Sequence, residues 1–275
     1  MPLCFVKDRF TDAQDASVSI TERGFRFGDG VFETVRLRSG LPYQWKAHLS
    51  RLALGMDALR LPPPSADIAA TARELVEKNA IRDGILRLSV SRAPGGAGYL
   101  PETAPSTLVI EILPLRPVPA HPLRLTLSAY RRSCATGLEP GLKTMQGALS
   151  TLARLEAQDT DADDALLLDT QGFLSETSGA NLFWRKHDTL YTPPLSCGIV
   201  AGTTRAAVLR LSPWKVEEVE ATPDTLQHAD EMFVTNISLP VHPVASLGPW
   251  SWRKDEAARA LRARIEEDDA SLGWQ

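Results

Sequence analysis

The alternation of apolar and polar residues along the first third of the chain predicts strands. From Val31 to Leu37, the two alternating sets of positions differ in character, which is typical of a strand with two different faces. The segments 3–8, 16–20, 84–93 and 106–115 are further predicted strands. Residues 45–61 instead follow a helical period that ends at Pro62, and 65–81 is a second predicted amphipathic helix.

A proline-spaced stretch separates this part from the rest of the chain. Residues 114–122 are the predicted linker, because proline removes a backbone donor and stiffens an extended chain. Beyond it we predict strands at 123–130, 165–169, 173–176, 181–186 and 189–193, and helices at 143–158, 202–211 and 252–267, the last a charged surface helix. Residues 222–236 begin as a helix, with Thr222 as N-cap and Pro223 first, and continue as a strand. The pattern predicts two α+β domains, a smaller one at 1–113 and a larger one at 123–275.

Composition narrows the function classes. The net charge is −4, so the charge balance gives no reason to expect nucleic acid as a partner. No apolar run reaches the ~18 residues that a membrane helix needs, and Lys7 and Asp8 interrupt any signal-peptide core. Cys4, Cys134 and Cys197 are far apart in the sequence, which indicates buried or half-buried thiols in a reducing compartment. We therefore expect a cytoplasmic protein with no metal site.

Lys143 is the first candidate for chemistry. It follows a proline and a glycine at the start of the predicted helix 143–158. A lysine that forms a Schiff base must be held out of water so that its amine is partly neutral. The flanking Leu142 and Met145 permit such a pocket, although a solvated surface lysine fits the same pattern.

Glu176 is the second candidate, because it interrupts two strand-like segments among small residues. Ser175, Thr177, Ser178 and Gly179 leave room for a flat ligand against the backbone. The carboxylate would then pair with a cationic ring nitrogen, as a pyridine cofactor requires. An ordinary turn carboxylate is the alternative.

The third candidate is the start of the predicted helix 202–211. Gly202, Thr203 and Thr204 open this helix, and helix N-termini bind phosphate through their N–H groups and the helix dipole. The two threonines add hydroxyl donors, or serve simply as N-caps. Together the three signals describe a pyridoxal phosphate site.

At this point the sequence resembles a known family, the class IV aminotransferases of fold type IV. The similarity runs from about Val18 to Val244. The matching segments, in the family's order, are 23–36, 48–52, 142–157, 164–184, 190–194, 202–205 and 230–244. The resemblance implies a two-domain α+β fold, pyridoxal 5'-phosphate as cofactor and an amino compound as substrate. It also implies a homodimer, in which each active site lies in the cleft between domains and is closed by a loop of the partner.

The resemblance implies a role for each matching residue. Lys143 corresponds to the lysine that carries the cofactor as a Schiff base and moves protons on the substrate, and Glu176 to the carboxylate that faces the pyridine nitrogen. The expected contacts of the cofactor phosphate are Arg51, Gly202, Thr203, Thr204, Asn236, Ile237 and Ser238.

The stretch 22–40 is expected to line the substrate side of the cleft. Its glycines Gly24, Gly28 and Gly30 would let backbone pass close to a ligand. Glu33 lies in the same wall and is better explained as a structural residue that ties strand to strand. The predicted substrate-binding residues are Phe27, Arg36, Arg92 and Tyr99.

Three branches share this scaffold: branched-chain aminotransferases, D-amino-acid aminotransferases and 4-amino-4-deoxychorismate lyases. The segments 181–186, 234–244 and 91–99 most resemble the lyases, which make 4-aminobenzoate and pyruvate for folate synthesis. However, Ala97 stands where the lyase loop commonly has an arginine suited to a substrate carboxylate, so that task would pass to Arg36, Arg92 or backbone donors. Gly147 and Ala148 replace the tyrosine of the branched-chain branch. A D-amino-acid or broad aminotransferase is the main alternative, and a non-catalytic cofactor-binding regulator is a further one.

Overall fold

A computed structural model describes residues 2–115, 117–133 and 140–275 of the chain. Cys134 therefore lies outside the described residues; Cys4 and Cys197 are both buried and in no disulfide. The chain divides into two compact units, residues 1–116 with 142–146 and 270–275, and residues 117–141 with 147–269. The predicted linker, 114–122, spans the first point of division. None of the described helices is long and apolar enough to cross a membrane.

The first unit contains one antiparallel sheet and three helices. Its strands are β1 (Leu3–Val6), β2 (Arg9–Asp12), β3 (Gly30–Arg38), β4 (Leu41–Pro42), β5 (Gly84–Ser91) and β6 (Thr107–Leu113), and its helices are α1 (Arg23–Phe27), α2 (Trp45–Ala58) and α3 (Ile68–Asn79). The strand order is β2-β1-β6-β5-β3-β4. The predicted strand at 16–20 is wrong, because Val18 and Ile20 are 45% and 77% exposed and have no core to face.

The core of the first unit lies between one face of the sheet and helices α2 and α3. Val35, Leu86 and Leu88 point from the strands into this core, and Leu52 and Leu75 reach it from the helices. Because side chains alternate along a strand, the residues between these positions lie on the opposite face of the sheet.

The second unit is built around a larger sheet. Its strands are β7 (Leu123–Arg132), β8 (Asp164–Asp169), β9 (Leu174–Thr177), β10 (Asn181–Lys186), β11 (Thr189–Thr192), β12 (Lys215–Glu218), β13 (Glu231–Thr235), β14 (His242–Leu247) and β15 (Trp250–Ser251). Its α-helices are α4 (Ala148–Asp159), α5 (Thr203–Leu211) and α6 (Glu256–Glu266), with 3₁₀ turns at Leu195–Cys197 and Pro223–His228. A third 3₁₀ turn, Asp269–Ser271, spans the last point of division between the units. Thr222 and Pro223 occupy the predicted N-cap and first position of the second turn, which leads into β13.

The strands of the second unit close into a ring. The order is β12-β11-β10-β13-β14-β7-β8-β9, and β9 pairs back onto β10. One apolar cluster takes residues from all six strands of the ring, namely Leu123, Leu125, Leu166, Leu168, Leu174, Leu182, Trp184, Met232, Val234, Val244 and Leu247. Helix α6 has the predicted charged face, but it also buries Ala257, Leu261 and Ile265.

The segment that carries Lys143 differs from the prediction. Helix α4 begins at Ala148, with Gly147 as its N-cap, rather than at Lys143. The preceding residues instead pair with β3: Phe32 N–H donates to Lys143 O at 3.1 Å, and Met145 N–H donates to Gly30 O at 2.9 Å. Lys143 therefore groups with the first unit, whereas the sequence assigned it to the C-terminal domain.

Candidate active site

The lysine amine lies against an aromatic ring of β3. Lys143 Nζ is 4.4 Å from the ring centroid of Phe32, and the guanidinium carbon of Arg87 is 4.1 Å from the same centroid. Both distances suit cation–π contact. The two cations therefore share one ring, on the face of the sheet opposite the core.

Arg87 was missed in the sequence, although its polar position between Leu86 and Leu88 marks it as facing away from the core. Burial lowers the pKa of Arg87, and nearby Glu111 offsets part of that effect. Arg87 pairs across strands with Thr34, so Arg36 is its diagonal neighbour on the same face. The Nε of Arg36 is buried without an acceptor among the described residues.

Glu33 is fully buried in the opposite, core-facing set of β3 and is held by two residues of α2. Arg51 donates from Nε and Nη2 to the two carboxylate oxygens, at 2.6 Å each. His48 Nδ1 lies 2.6 Å from Glu33 Oε2. Glu33 thus ties strand to helix, not strand to strand as predicted. Arg51, the predicted phosphate contact, is mostly buried, with 11% of its side chain exposed.

The charges of this cluster follow from its burial. Burial pushes the pKa of Glu33 upward, but the hydrogen bonds from Arg51 and His48 and the charge of Arg51 outweigh it and lower the pKa to about 2. Burial, together with the charges of Arg51 and Lys143, lowers the pKa of His48 although Glu33 raises it. Glu33 is therefore a carboxylate, and neutral His48 donates to it from Nδ1.

Of the other predicted substrate-binding residues, Phe27 and Tyr99 contact each other, whereas Arg92 has a structural role. The rings of Phe27 and Tyr99 are in contact, with centroids 5.4 Å apart. Arg92 donates to Asp29 from Nε at 2.9 Å and to the carbonyls of Leu59 and Arg60. Its three nitrogens are thus directed to Asp29 and the end of α2, and the structure gives it a structural task.

The glycines of the opening stretch meet protein rather than open space. A Cβ at Gly30 would lie 2.7 Å from Met145 Sδ and 2.7 Å from Val90 O, and one at Gly24 would lie 2.5 Å from Ser91 Cβ. These glycines let β3 and α1 approach β5 and the lysine segment. The sequence predicted that a ligand would approach the backbone at these glycines, but other segments of the same chain lie there instead.

In the second unit, Glu176 is a buried carboxylate with donors on both oxygens. Arg132 Nη2 lies 2.9 Å from Oε1, and Oε2 accepts from Asn181 Nδ2 and from Val200 N–H, each at 3.0 Å. These donors all favour the charged form of the carboxylate. Arg132 and Asn181 were not predicted, because their approach to Glu176 depends on strand pairing that the sequence does not display.

The predicted phosphate cradle lies beside this carboxylate. Helix α5 starts at Thr203 with Gly202 as its N-cap, so the alternative that the threonines are N-caps is wrong. A Cβ at Gly202 would clash with Asn181 Oδ1, and only glycine permits so close an approach. Asn181 thus links Glu176 to the start of α5.

The loop after β13 reaches the same region. Asn236 Nδ2 donates to Gly179 O at 3.0 Å, and its Oδ1 accepts from the N–H groups of Ser238 and Leu239. Asn236 therefore shapes the loop that carries Ile237 and Ser238. Next to it, the buried Thr235 Oγ1 has no partner among the described residues, and sequence analysis did not single it out.

These groups fit a pyridine ring with a phosphate. Glu176 offers a buried negative charge for a ring cation. Apart from Gly179 and its two chain neighbours, no atom of the described residues lies within 4 Å of a Cβ placed on Gly179, so space remains beside the backbone there. The start of α5 offers N–H groups and two buried threonines for a phosphate. Within 2–115, 117–133 and 140–275, no cluster of three or more His, Cys, Asp or Glu could hold a metal.

Comparison with known proteins identifies the family. The model of the family "Amino-transferase class IV" matches residues 30–247. The chain belongs to the class IV aminotransferases. Members of this family are pyridoxal-phosphate-dependent transaminases and lyases, so the chain is an enzyme of that kind and its predicted cofactor is confirmed.

Relatives from different branches match this class IV aminotransferase almost equally well. A putative branched-chain-amino-acid aminotransferase of Methanocaldococcus jannaschii is 32% identical, over 87% of this chain and 86% of its own. The D-alanine aminotransferase of Bacillus licheniformis is 30% identical, again over 87% and 86%.

Solved structures confirm the predicted α+β fold. A branched-chain amino acid aminotransferase from T.th., solved with pyridoxamine 5'-phosphate, has a TM-score of 0.91 and 25% identity, covering 99% of this chain and 98% of its own. The 4-amino-4-deoxychorismate lyase of Pseudomonas aeruginosa has a TM-score of 0.83 and 30% identity, covering 97% and 99%. Transaminases and a lyase thus share this fold, and the side chains of the site distinguish their reactions.

Proposed function

We propose that the chain is a 4-amino-4-deoxychorismate lyase that releases 4-aminobenzoate and pyruvate. The observation that carries this proposal is the pair of guanidinium groups on the sheet face that also bears Lys143. Arg87 shares the Phe32 ring with Lys143, and Arg36 is its diagonal neighbour, with a buried Nε that has no acceptor in the described part of the chain. Aminodeoxychorismate has two carboxylates, and guanidinium groups bind carboxylates with charge-assisted hydrogen bonds.

This pair supplies what the loop 91–99 lacks. Ala97 cannot hold a carboxylate, and Arg92 is occupied by Asp29 and the end of α2. Arg36 and Arg87 then take over the carboxylates, with Phe27 and Tyr99 against the apolar part of the substrate.

The remaining groups bind the cofactor and move protons. Pyridoxal phosphate, when bound, withdraws electrons from the carbon that bears the substrate amino group. Arg132, Asn181 and Val200 keep the Glu176 carboxylate anionic, and this carboxylate would hold a positive charge on the ring nitrogen. Lys143 would hold the cofactor covalently and, with its amine free, would relay the substrate proton during the release of pyruvate, which leaves an aromatic ring. The phosphate contacts are Arg51, Gly202, Thr203, Thr204, Asn236, Ile237 and Ser238.

The second candidate is an aminotransferase that uses D-amino acids or a broad set of amino donors with a 2-oxo acid acceptor. The absence of an arginine at Ala97 favours it, as does the similarity to D-alanine aminotransferase. This reaction requires a 2-oxo acid to accept the amino group, whereas a lyase needs no second substrate.

One experiment separates the two. The purified holoenzyme is mixed with aminodeoxychorismate, or with D-alanine or L-leucine, with and without pyruvate or 2-oxoglutarate. A lyase forms 4-aminobenzoate and pyruvate with no 2-oxo acid added. A transaminase loses its visible cofactor band with an amino donor alone and regains it when the 2-oxo acid is added. Steady transamination of a D-amino acid without lyase turnover would replace the first candidate with the second.

We further propose that the protein is a cytoplasmic homodimer and that its 4-aminobenzoate is used in folate synthesis. Light scattering of the purified holoenzyme tests the assembly. A folate requirement in a deletion strain, relieved by 4-aminobenzoate, tests the role.

A further inference from the structure

The loop 94–101 has a shape that is built in by glycine. Gly95, Gly96 and Gly98 have positive φ values of 124°, 87° and 57°. A Cβ at Gly96 would clash with Leu100 O, so no other residue fits there without a shift of the backbone. The loop presents Tyr99 and Leu100 with 86% and 74% of their surface exposed.

Arg23 of α1 holds this loop by its backbone. Its Nη1 donates to Gly98 O at 2.8 Å and its Nη2 to Tyr99 O at 3.3 Å. Its Nε donates to Asp29 Oδ2 at 3.1 Å, so the guanidinium has a partner on each nitrogen. Only 6% of the Arg23 side chain is exposed, which makes it a fixed support rather than a surface residue.

The support continues from Arg23 to a helix. Asp29 Oδ2 also accepts from Arg92 Nε at 2.9 Å. Arg92 in turn donates to the carbonyls of Leu59 and Arg60 just beyond α2, where a cation is favourable. A continuous set of hydrogen bonds therefore connects the end of α2, through Arg92, Asp29 and Arg23, to the loop.

Arg23 also orients the aromatic pair. Its guanidinium carbon is 4.8 Å from the ring centroid of Phe27, and the Tyr99 ring lies 5.4 Å from the same ring at an angle of 48°. Arg23 thus contacts both partners, Phe27 through its ring and Tyr99 through its carbonyl. The two rings form one apolar surface while Arg23 holds the loop.

We propose that Arg23 is a positioning residue, which fixes the loop 94–101 so that Tyr99 and Phe27 together receive the apolar part of the substrate. The proposal rests on the proposed function, because it assumes that this surface faces the substrate. It adds a determinant of substrate affinity that neither touches the reacting atoms nor binds the cofactor.

The test uses the holoenzyme with Arg23→Met and Arg23→Lys, and with Arg26→Met as matched control. Arg26 is in the same short helix, is exposed and donates to Ile20 O, so its replacement removes the same charge without touching the loop. The first measurement is the rate at which chymotrypsin cleaves the Tyr99–Leu100 bond, because a protease needs the segment to open locally. We expect at least a tenfold faster cleavage in Arg23→Met, a smaller increase in Arg23→Lys, and no change in Arg26→Met.

The second measurement is the KM and kcat for whichever substrate the holoenzyme turns over. We expect Arg23→Met to raise KM at least tenfold while kcat changes less than threefold, and Arg23→Lys to recover part of the affinity. Cleavage at the wild-type rate in both Arg23 variants would overturn the proposal. Faster cleavage with unchanged KM would overturn the link to substrate. If neither proposed reaction occurs, the proteolysis comparison still decides whether Arg23 holds the loop, so the two failures are distinguishable. If Arg23→Met does not fold, the cleavage rate and KM of Arg23→Lys are compared with those of the wild type and Arg26→Met instead.

Discussion

At the scale of single residues, the charge of Glu176 is maintained by its surroundings. The carboxylate is buried, yet a guanidinium and two N–H groups surround it. A buried carboxylate without such donors would tend to take up a proton. The position is therefore prepared for a cationic ring before any ligand binds.

Replacing Glu176 by Gln tests this charge. We expect Glu176→Gln to retain the cofactor, with less than a tenfold change in its Kd, while kcat falls at least tenfold, because a neutral amide stabilises a ring cation poorly. Cofactor titration followed by single-turnover kinetics measures both quantities. Glu217→Gln, a change on β12, is the control. Unchanged turnover in Glu176→Gln would remove the proposed role.

Lys143 is tested by its covalent link to the cofactor. Reduction of the holoenzyme with borohydride, followed by peptide mapping, should tag Lys143. Lys143→Ala should lose turnover by several orders of magnitude, because the covalent link and the proton relay are lost together. A tag on Lys46, Lys78 or Lys186 would contradict the assignment.

At the scale of elements, two polar clusters join strands to helices. On β3, Glu33 binds Arg51 and His48 of α2 inside an apolar core. On β14, His242 accepts from Arg262 of α6 at Nδ1 (3.2 Å), and its Nε2 lies 2.9 Å from His121 O. Because Nδ1 faces a guanidinium donor and Nε2 faces a carbonyl oxygen, both contacts require the neutral ring with its proton on Nε2. The ring is buried.

Arg51→Ala should affect both stability and cofactor binding. Loss of the guanidinium leaves Glu33 buried with one partner fewer, and breaking a buried ion pair costs about 3–5 kcal/mol. If Arg51 also contacts the phosphate, cofactor affinity should fall roughly ten- to a hundredfold, since such a bond contributes about 1.5–3 kcal/mol. Urea denaturation of the apoprotein and cofactor titration separate the two effects. Thr204→Ala should weaken the cofactor without the loss of stability. Wild-type affinity in both variants would remove the phosphate assignment.

The His242 cluster predicts a pH dependence of stability. Burial lowers the pKa of His242, and Arg262 lowers it further, although the bond to His121 raises it. The unfolded chain takes up a proton near the ordinary histidine pKa of about 6.5, whereas the folded chain does so only at lower pH. The free energy of unfolding should therefore be constant above that value and fall as pH decreases, by up to about 1.4 kcal/mol per pH unit.

Urea denaturation between about pH 7.5 and pH 5 measures this slope. His242→Gln, which can keep one donor and one acceptor, should reduce it. The pH dependence that remains in His242→Gln is then due to His48, whose pKa is also lowered by burial. His228→Gln, an exposed change, should have no effect. An equal slope in wild type and His242→Gln would contradict the prediction.

The elements also show what a sequence can and cannot predict. Strand β3 and helices α2 and α3 were predicted because their periods reflect one buried face each. The segment 142–146 was not, because its hydrogen bonds go to Phe32 and Gly30, far earlier in the chain. The same reason applies to Arg132, which reaches Glu176 only through the pairing of β7, β8 and β9. Lys143 and Glu176 were predicted from their local pattern and Arg51 from the family resemblance, whereas Arg23 and Arg87 depend on contacts that no local pattern displays.

At the scale of the whole molecule, family membership leaves the reaction open, because relatives of similar identity belong to different branches. The carboxylates of the substrate offer the discriminating feature. Aminodeoxychorismate has two of them and D-alanine has one, so a site with two guanidinium groups should distinguish the two compounds. Arg87, desolvated and beside the Phe32 ring, is the group to change.

We expect Arg87→Met to raise the KM for aminodeoxychorismate roughly ten- to a hundredfold, which corresponds to the loss of one charge-assisted hydrogen bond. Transamination of D-alanine, if it occurs, should change less than threefold. Arg82→Met, an exposed change just before β5, controls for the loss of charge. Ala97→Arg should raise lyase activity in the wild type and restore part of it in Arg87→Met, because it returns a cation to the loop 94–101. Equal losses for both substrates in Arg87→Met, with no gain from Ala97→Arg, would mean that Arg87 supports the sheet rather than the substrate, and would contradict the proposed lyase activity.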